Sequence, residues 1–174
     1  MSLSLILGGV KSGKSRFAEQ LAIKSGLAVT YIATAQAHDD EMQQRIQHHQ
    51  QSRPKHWQTL ETPIHLAAVI KQQCVINQCV LVDCLTLWLT NLLMREDEAL
   101  LRHEVEHLIS CLNELEGQLI LVSNETNMGI MPLGKLTRQY CDEIGLLHQA
   151  IAAECHNVVL TVAGLPHSLK GQLV

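Results

Sequence analysis

The sequence predicts an α/β fold, a mostly parallel sheet with helices on both faces, in one domain over residues 1–174. Three observations carry this. Short runs that are nearly all apolar, such as Leu3 to Leu7, Ala28 to Ala33 and Cys79 to Val82, recur along the chain, as in strands buried on both sides. They alternate with stretches whose apolar residues fall at helical spacing. The first run leads into Gly8-Gly9-Val10-Lys11-Ser12-Gly13-Lys14-Ser15, which fits G-x-x-x-x-G-K-[ST] between a strand and a helix.

The elements follow in order. Leu3 to Leu7 is the first strand, ended by Gly8-Gly9. Lys14 to Lys24 is a helix with Phe17 and Leu21 on its apolar face, beside Ala18 and Ala22. Ala28 to Ala33 is a second strand, rich in β-branched and aromatic types. Asp39-Asp40-Glu41 opens a helix where acids complement the dipole, and Arg53-Pro54 ends it after Ser52. His65 to Gln73 is another helix, and Cys79 to Asp83 is a buried strand with an acid at its end. Two helices follow near Leu85 to Met94 and Glu98 to Leu115, then a strand from Gln118 to Ser123. Pro132 to Glu154 is mostly helical, and Asn157 to Val162 is the last strand, closed by Ala163-Gly164. No repeat, low-complexity tract or linker interrupts the series. In such folds ligands bind beyond the carboxyl ends of the strands, so the residues just after each strand are the candidates.

Composition narrows the function. A chain of 174 residues buries a sizeable core without disulfides. Its net charge of −4 offers no basic surplus for phosphate backbones, and 3% aromatic residues offer no base-stacking platform, so no nucleic-acid partner is expected. No apolar run approaches the ~18 residues of a membrane span. The N-terminal apolar run has no basic start, so a cytoplasmic protein is expected. Cys74, Cys79, Cys84, Cys111, Cys141 and Cys155 contain no C-x-x-C pair and are expected as free thiols. Asn124-Glu125-Thr126 matches the glycosylation pattern but is discounted for a chain on no secretory route.

The loop from Gly8 to Ser15 carries the clearest chemistry. Its glycines let the backbone wrap a polyphosphate with N–H groups pointing inward, and the next helix presents its N-terminus to the anion. Lys14 reaches the β and γ phosphates, and Ser15 offers a hydroxyl to Mg²⁺. Asp83, at the end of an apolar strand, is placed as the second metal ligand, although an aspartate before Leu85 would equally cap a helix. Asp39, Asp40 and Glu41 are weaker metal candidates.

The predicted helix from Asp39 is the other unusual stretch. Met42, Ile46 and His49 share one face, while His48 lies ~100° round from His49, beside Arg45 three residues earlier. An accessible imidazole beside a cation stays neutral near pH 7, as a nucleophile must. A solvated face rich in histidine and glutamine would look the same, and a zinc site from His48, His49 and His56 lacks ligating spacing.

Taken together, GGVKSGKS, YIATA, DDEMQQRIQHHQQSRPKHW, Glu61, VDCLTLWLTNLL and VSNETNMGIMP occur in this order. They resemble the bifunctional adenosylcobinamide kinase / adenosylcobinamide-phosphate guanylyltransferase family, from Leu3 to about Gly164. The D-x-E-M-x-x-R-I-x-x-H block with R-P-x-x-W is far more specific than the phosphate loop. One departure is Asn127, where family members often carry glycine; it bears on that loop's conformation.

The resemblance implies a P-loop NTPase of RecA-like type that forms a homotrimer. It implies transfer of a γ-phosphate from ATP or GTP to the aminopropanol hydroxyl of adenosylcobinamide. GMP then moves from GTP onto that phosphate through a guanylyl-histidine. The nucleophile falls on His48. Nucleotide contacts fall on Gly8, Gly9, Val10, Lys11, Ser12, Gly13, Lys14 and Ser15, on Ala33, Thr34 and Ala35, on His49, Gln50, Gln51 and Ser52, and on Glu61 and Asp83. Residue chemistry agrees in kind, since the small residues after the second strand admit a nucleotide and Glu61 could accept from the N–H edge of guanine. A solvated loop glutamate is the plainer account of Glu61. Trp57 and Trp88 read as packing. Two other readings stand beside the bifunctional enzyme: a P-loop kinase without guanylyl transfer, and a RecA-like module whose NTP hydrolysis drives binding or assembly.

Overall fold

The computed structural model describes residues 2–36 and 54–172. The elements are β1 (Ser2–Gly8), α1 (Lys14–Lys24), β2 (Ala28–Ala33), β3 (Gln58–Glu61), α2 (Leu66–Gln73), β4 (Gln78–Asp83), α3 (Leu85–Leu93), α4 (Glu98–Cys111), a 3₁₀ turn (Leu112–Glu114), β5 (Gln118–Asn124), α5 (Lys135–Glu154), β6 (Asn157–Val162) and β7 (Leu165–Lys170). The helix expected from Asp39 to Ser52 lies outside the described residues.

The seven strands form one sheet in the order β3-β2-β4-β5-β1-β6-β7. All pair in parallel except β7, which runs antiparallel to β6. Alternate residues of the central strands face opposite sides, as a pleated strand requires. Leu3, Leu5, Val80, Val82, Leu119 and Leu121 meet α2, α3, α4 and α5 on one side. Ile6, Tyr31, Leu81, Ile120 and Val122 meet α1 and Trp57 on the other. Because both faces are covered, each central strand is a nearly continuous apolar run.

Several details differ from the sequence expectations. The centre of the α1 contact is Ala18 and Ala22, both fully buried, with Phe17 and Leu21 half-buried at its flanks. Small side chains one turn apart let this helix lie close to the sheet. Helix α4 stops at Cys111, where the chain tightens into the 3₁₀ turn, and α5 begins after Gly134 rather than at Pro132. Strands β3 and β7 were not among the expected elements; both are edge strands with mostly exposed residues. All six cysteines are free, five of them buried. Burial pushes the Cys79 and Cys155 thiols up to about 12, so they stay protonated at neutral pH.

Candidate nucleotide-binding site

The loop Gly8–Ser15 sits at the carboxyl end of β1 and opens α1. Gly13 caps α1 with φ 96°, a left-handed conformation that glycine adopts without strain. A Cβ at Gly8 would come within 2.6 Å of the Thr161 carbonyl oxygen, so the loop approaches β6 too closely for any side chain. Inside the loop the Ser12 N–H donates to Gly9 O at 3.2 Å, and the Gly164 N–H donates to Ser12 O at 2.8 Å. The turn between β6 and β7 therefore braces the loop from behind. Gly9, Val10 and Lys11 stand exposed, and Lys14 Nζ folds back to donate to Gly9 O at 3.4 Å. The structure thus keeps the phosphate-loop residues together, with Lys14 and Ser15 in the first turn of α1.

Asp83 is the last residue of β4, and Cys84, in extended conformation, is the N-cap of α3. The helix-cap account of Asp83 therefore does not hold. The Asp83–Cys84 peptide is cis. Thr34 grips its far side: its hydroxyl donates to Cys84 O at 2.7 Å and accepts from the Cys84 N–H at 2.9 Å. Thr34 is fully buried, so its side chain holds the end of β4 rather than facing the open edge. Burial pushes the Cys84 thiol up to about 11; Asp83 adds to the rise and Lys14 opposes it. The phosphate loop follows β1 and Asp83 ends β4, so both stand at the carboxyl edge of the sheet on either side of β5.

Ala33 and Ala35 are half-buried on either side of Thr34. Glu61 ends β3 opposite Ala33 and is exposed. It lies four strand positions from β1 along the carboxyl edge, roughly 19 Å at the usual strand spacing. The structure places Glu61 on the same edge as the phosphate loop but does not bring the two together. Helix α3 fixes the chain beyond Glu61. Asn91 Nδ2 donates to Thr34 O at 2.8 Å and to Pro63 O at 3.1 Å, and Trp88 Nε1 donates to Ile64 O at 2.6 Å. Trp88 is core, as expected, and Trp57 packs against the other face of the sheet. His48, His49, Gln50, Gln51 and Ser52 lie outside the described residues.

Sequence reasoning assigned no role to a polar chain at the end of β5. Thr86 Oγ1 accepts from the Asn124 N–H at 2.8 Å and lies 3.4 Å from Ser123 Oγ. Ser123 Oγ pairs with His148 Nε2 at 2.8 Å, and His148 Nδ1 stands 3.9 Å from Glu125 Oε2. Burial lowers the His148 pKa, and Glu125 pulls it partly back. Glu125 Oε1 accepts from the Asn127 N–H at 2.8 Å, and the Glu125 N–H donates to Gly8 O at 3.0 Å. Asn127 ties this loop to α5 by donating from Nδ2 to Cys141 O at 2.8 Å. The only signals for these residues were polar types at the end of an apolar strand and one histidine in a helix.

The chain shares the fold of the RadB recombinase, with TM-score 0.54 and 16% identity over 91% of this chain and 73% of that one. It also shares the fold of an ATPase from a bacterial type III secretion system, with TM-score 0.54 and 8% identity over 96% of this chain and 56% of that one. Both likenesses are of fold, and they agree with the expected mostly parallel sheet covered by helices on both faces. In sequence it is 60% identical over 168 residues to the bifunctional adenosylcobalamin biosynthesis protein CobP of Pseudomonas aeruginosa, covering 97% of each chain. It is 38% identical to the bifunctional adenosylcobalamin biosynthesis protein CobU of Escherichia coli, covering 95% of this chain and 98% of that one. The family model for cobinamide kinase / cobinamide phosphate guanyltransferase matches residues 4–169, so the chain belongs to that family.

Proposed function

We propose that this protein is a bifunctional enzyme of cobalamin biosynthesis that phosphorylates adenosylcobinamide and then transfers GMP to the product. The observation that carries this reading is a phosphate loop and Asp83 at the same edge of the sheet, on either side of β5, in a chain 60% identical over 97% of its length to a bifunctional adenosylcobalamin biosynthesis protein. In the first reaction the aminopropanol hydroxyl of the corrinoid attacks the γ-phosphorus of ATP or GTP. The loop N–H groups and Lys14 hold the phosphates and offset the charge that develops on them. In the second, a ring nitrogen of His48 attacks the α-phosphorus of GTP, forming a P–N bond as pyrophosphate leaves. The cobinamide phosphate then displaces His48, giving adenosylcobinamide-GDP. A covalent step divides one difficult transfer into two easier ones.

The residue assignments belong to the same proposal. Gly8 to Ser15 bind a triphosphate, Ala33 to Ala35 and Glu61 take a guanine nucleotide, and His49 to Ser52 complete that contact. Ser15 and Asp83 suit Mg²⁺, since a hydroxyl and a carboxylate are oxygen donors of the kind a hard cation takes. When bound, that ion neutralises phosphate charge. A cytoplasmic homotrimer is proposed on the resemblance; among the described residues no helix is long and apolar enough to cross a membrane.

The test is covalent labelling. Protein incubated with α-labelled GTP and Mg²⁺ should carry label that mild acid removes and mild alkali leaves, the behaviour of a P–N bond to histidine. His48→Ala should lose the label and the GMP transfer while keeping measurable cobinamide kinase activity. Acid-stable label, or label that persists in His48→Ala, would sink the histidine mechanism. A kinase that never takes up label would leave the simpler reading of a P-loop kinase.

A further inference from the structure

We infer that Glu125 is the general base of the kinase reaction, the group that takes the proton from the corrinoid hydroxyl. The inference rests on the kinase reading above and concerns a residue to which that reading gives no role. Phosphoryl transfer to an alcohol needs a proton acceptor near the attacking oxygen. Among the described residues at the loop, Lys14 is a cation and Asp83 is the residue assigned above to Mg²⁺, so neither is suited to it. Glu61 lies at the far end of the carboxyl edge, beyond β2 and β4. The strand between the phosphate loop and Asp83 is β5, paired to β1 on one side and β4 on the other. Asn124, its last residue, lies beside Gly8, and Glu125 is the next residue beyond it. Its backbone N–H is bonded to Gly8 O at 3.0 Å, which fixes it against the first residue of the loop.

The carboxylate is held without being neutralised. Oε1 accepts from the Asn127 N–H at 2.8 Å. Oε2 stands 3.9 Å from His148 Nδ1, and the side chain remains 17% exposed. Burial lowers the pKa of the neighbouring imidazole, which is itself held by Ser123 Oγ at 2.8 Å. At 3.9 Å, His148 Nδ1 lies beyond hydrogen-bond distance of Glu125 Oε2. The step balances. The hydroxyl oxygen forms a bond to the γ-phosphorus, the bond from that phosphorus to the β-γ bridging oxygen breaks, the nucleoside diphosphate leaves, and the hydroxyl proton passes to Glu125 and then to solvent.

The two reactions separate this role from nucleotide binding, because guanylylation of the protein involves no alcohol. In Glu125→Gln, adenosylcobinamide phosphorylation should fall by about 100-fold or more. Label from α-labelled GTP should enter the variant at a rate close to that of the parent, and its affinity for a fluorescent GTP analogue should be unchanged. Kinase activity near the parent's would overturn the inference. Loss of both kinase and labelling in a folded variant would also overturn it, by making Glu125 part of the shared nucleotide site. If Glu125→Gln does not fold, Glu125→Asp carries the test. It keeps a carboxylate with shorter reach and should lose kinase turnover while keeping label; full turnover in it would count against the base. A parent protein with no cobinamide kinase activity would instead fail the reading beneath the inference.

Discussion

Asp83 shows how one residue changes meaning once its neighbours are placed. A carboxylate before an apolar helix reads equally as a cap or as a metal ligand. Cys84 occupies the cap position, and Thr34 holds the Cys84 peptide with two hydrogen bonds of 2.7 and 2.9 Å. Asp83 therefore stands at the strand end with its backbone fixed by other groups. Asp83→Asn should raise the Mg²⁺ concentration needed for half-maximal kinase activity, because a neutral amide is a poorer ligand for a hard cation. Its thermal midpoint should stay near the parent's, since no cap is lost. A magnesium titration beside a melting curve reads both, and an unchanged magnesium dependence would remove Asp83 from the metal site.

At the level of elements, legibility followed burial. Strands β1, β2, β4, β5 and β6 are central and covered on both faces, so their composition announces them. Strand β3 has one half-buried residue, Leu60, among four, and β7 contains Pro166 and pairs only with β6. Both edge strands owe their existence to backbone pairing, which leaves little mark on side-chain pattern. The candidate site divides in the same way. The phosphate loop is local and legible, whereas Ser123 meets His148 across 25 residues and Asn91 meets Thr34 across 57, pairings that only topology creates. Asn91 is the polar residue that an all-apolar reading of α3 passes over. Its amide is the donor for two backbone carbonyls, on Thr34 and Pro63. Asn91→Leu keeps the branched shape and removes both bonds, leaving two carbonyls unsatisfied near the core. It should destabilise the protein by about 2–4 kcal/mol in a denaturant titration. A variant as stable as the parent would mean that packing and the Trp88 bond to Ile64 O hold the loop beyond Glu61 without Asn91.

Across the whole molecule, α5 is the longest described helix, and a titratable group joins it to the sheet. His148 on α5 bonds Ser123 on β5 and faces Glu125 in the loop that follows. Burial, the larger influence, lowers its folded pKa below the ordinary 6.5, and Glu125 raises it by less. The unfolded chain then binds a proton at this histidine more readily than the folded one. Stability from this group is complete above about pH 6.5, falls as the pH drops from there towards the folded pKa, and changes no further below it. His148→Gln keeps an amide able to reach Ser123 Oγ but cannot titrate. The parent should therefore lose more of its thermal midpoint between pH 7.5 and 5.5 than His148→Gln does. The remaining histidines are common to both proteins and drop out of the difference. Parallel pH profiles would show that His148 charges as easily in the fold as outside it, and that the seam between α5 and β5 opens to water at acid pH.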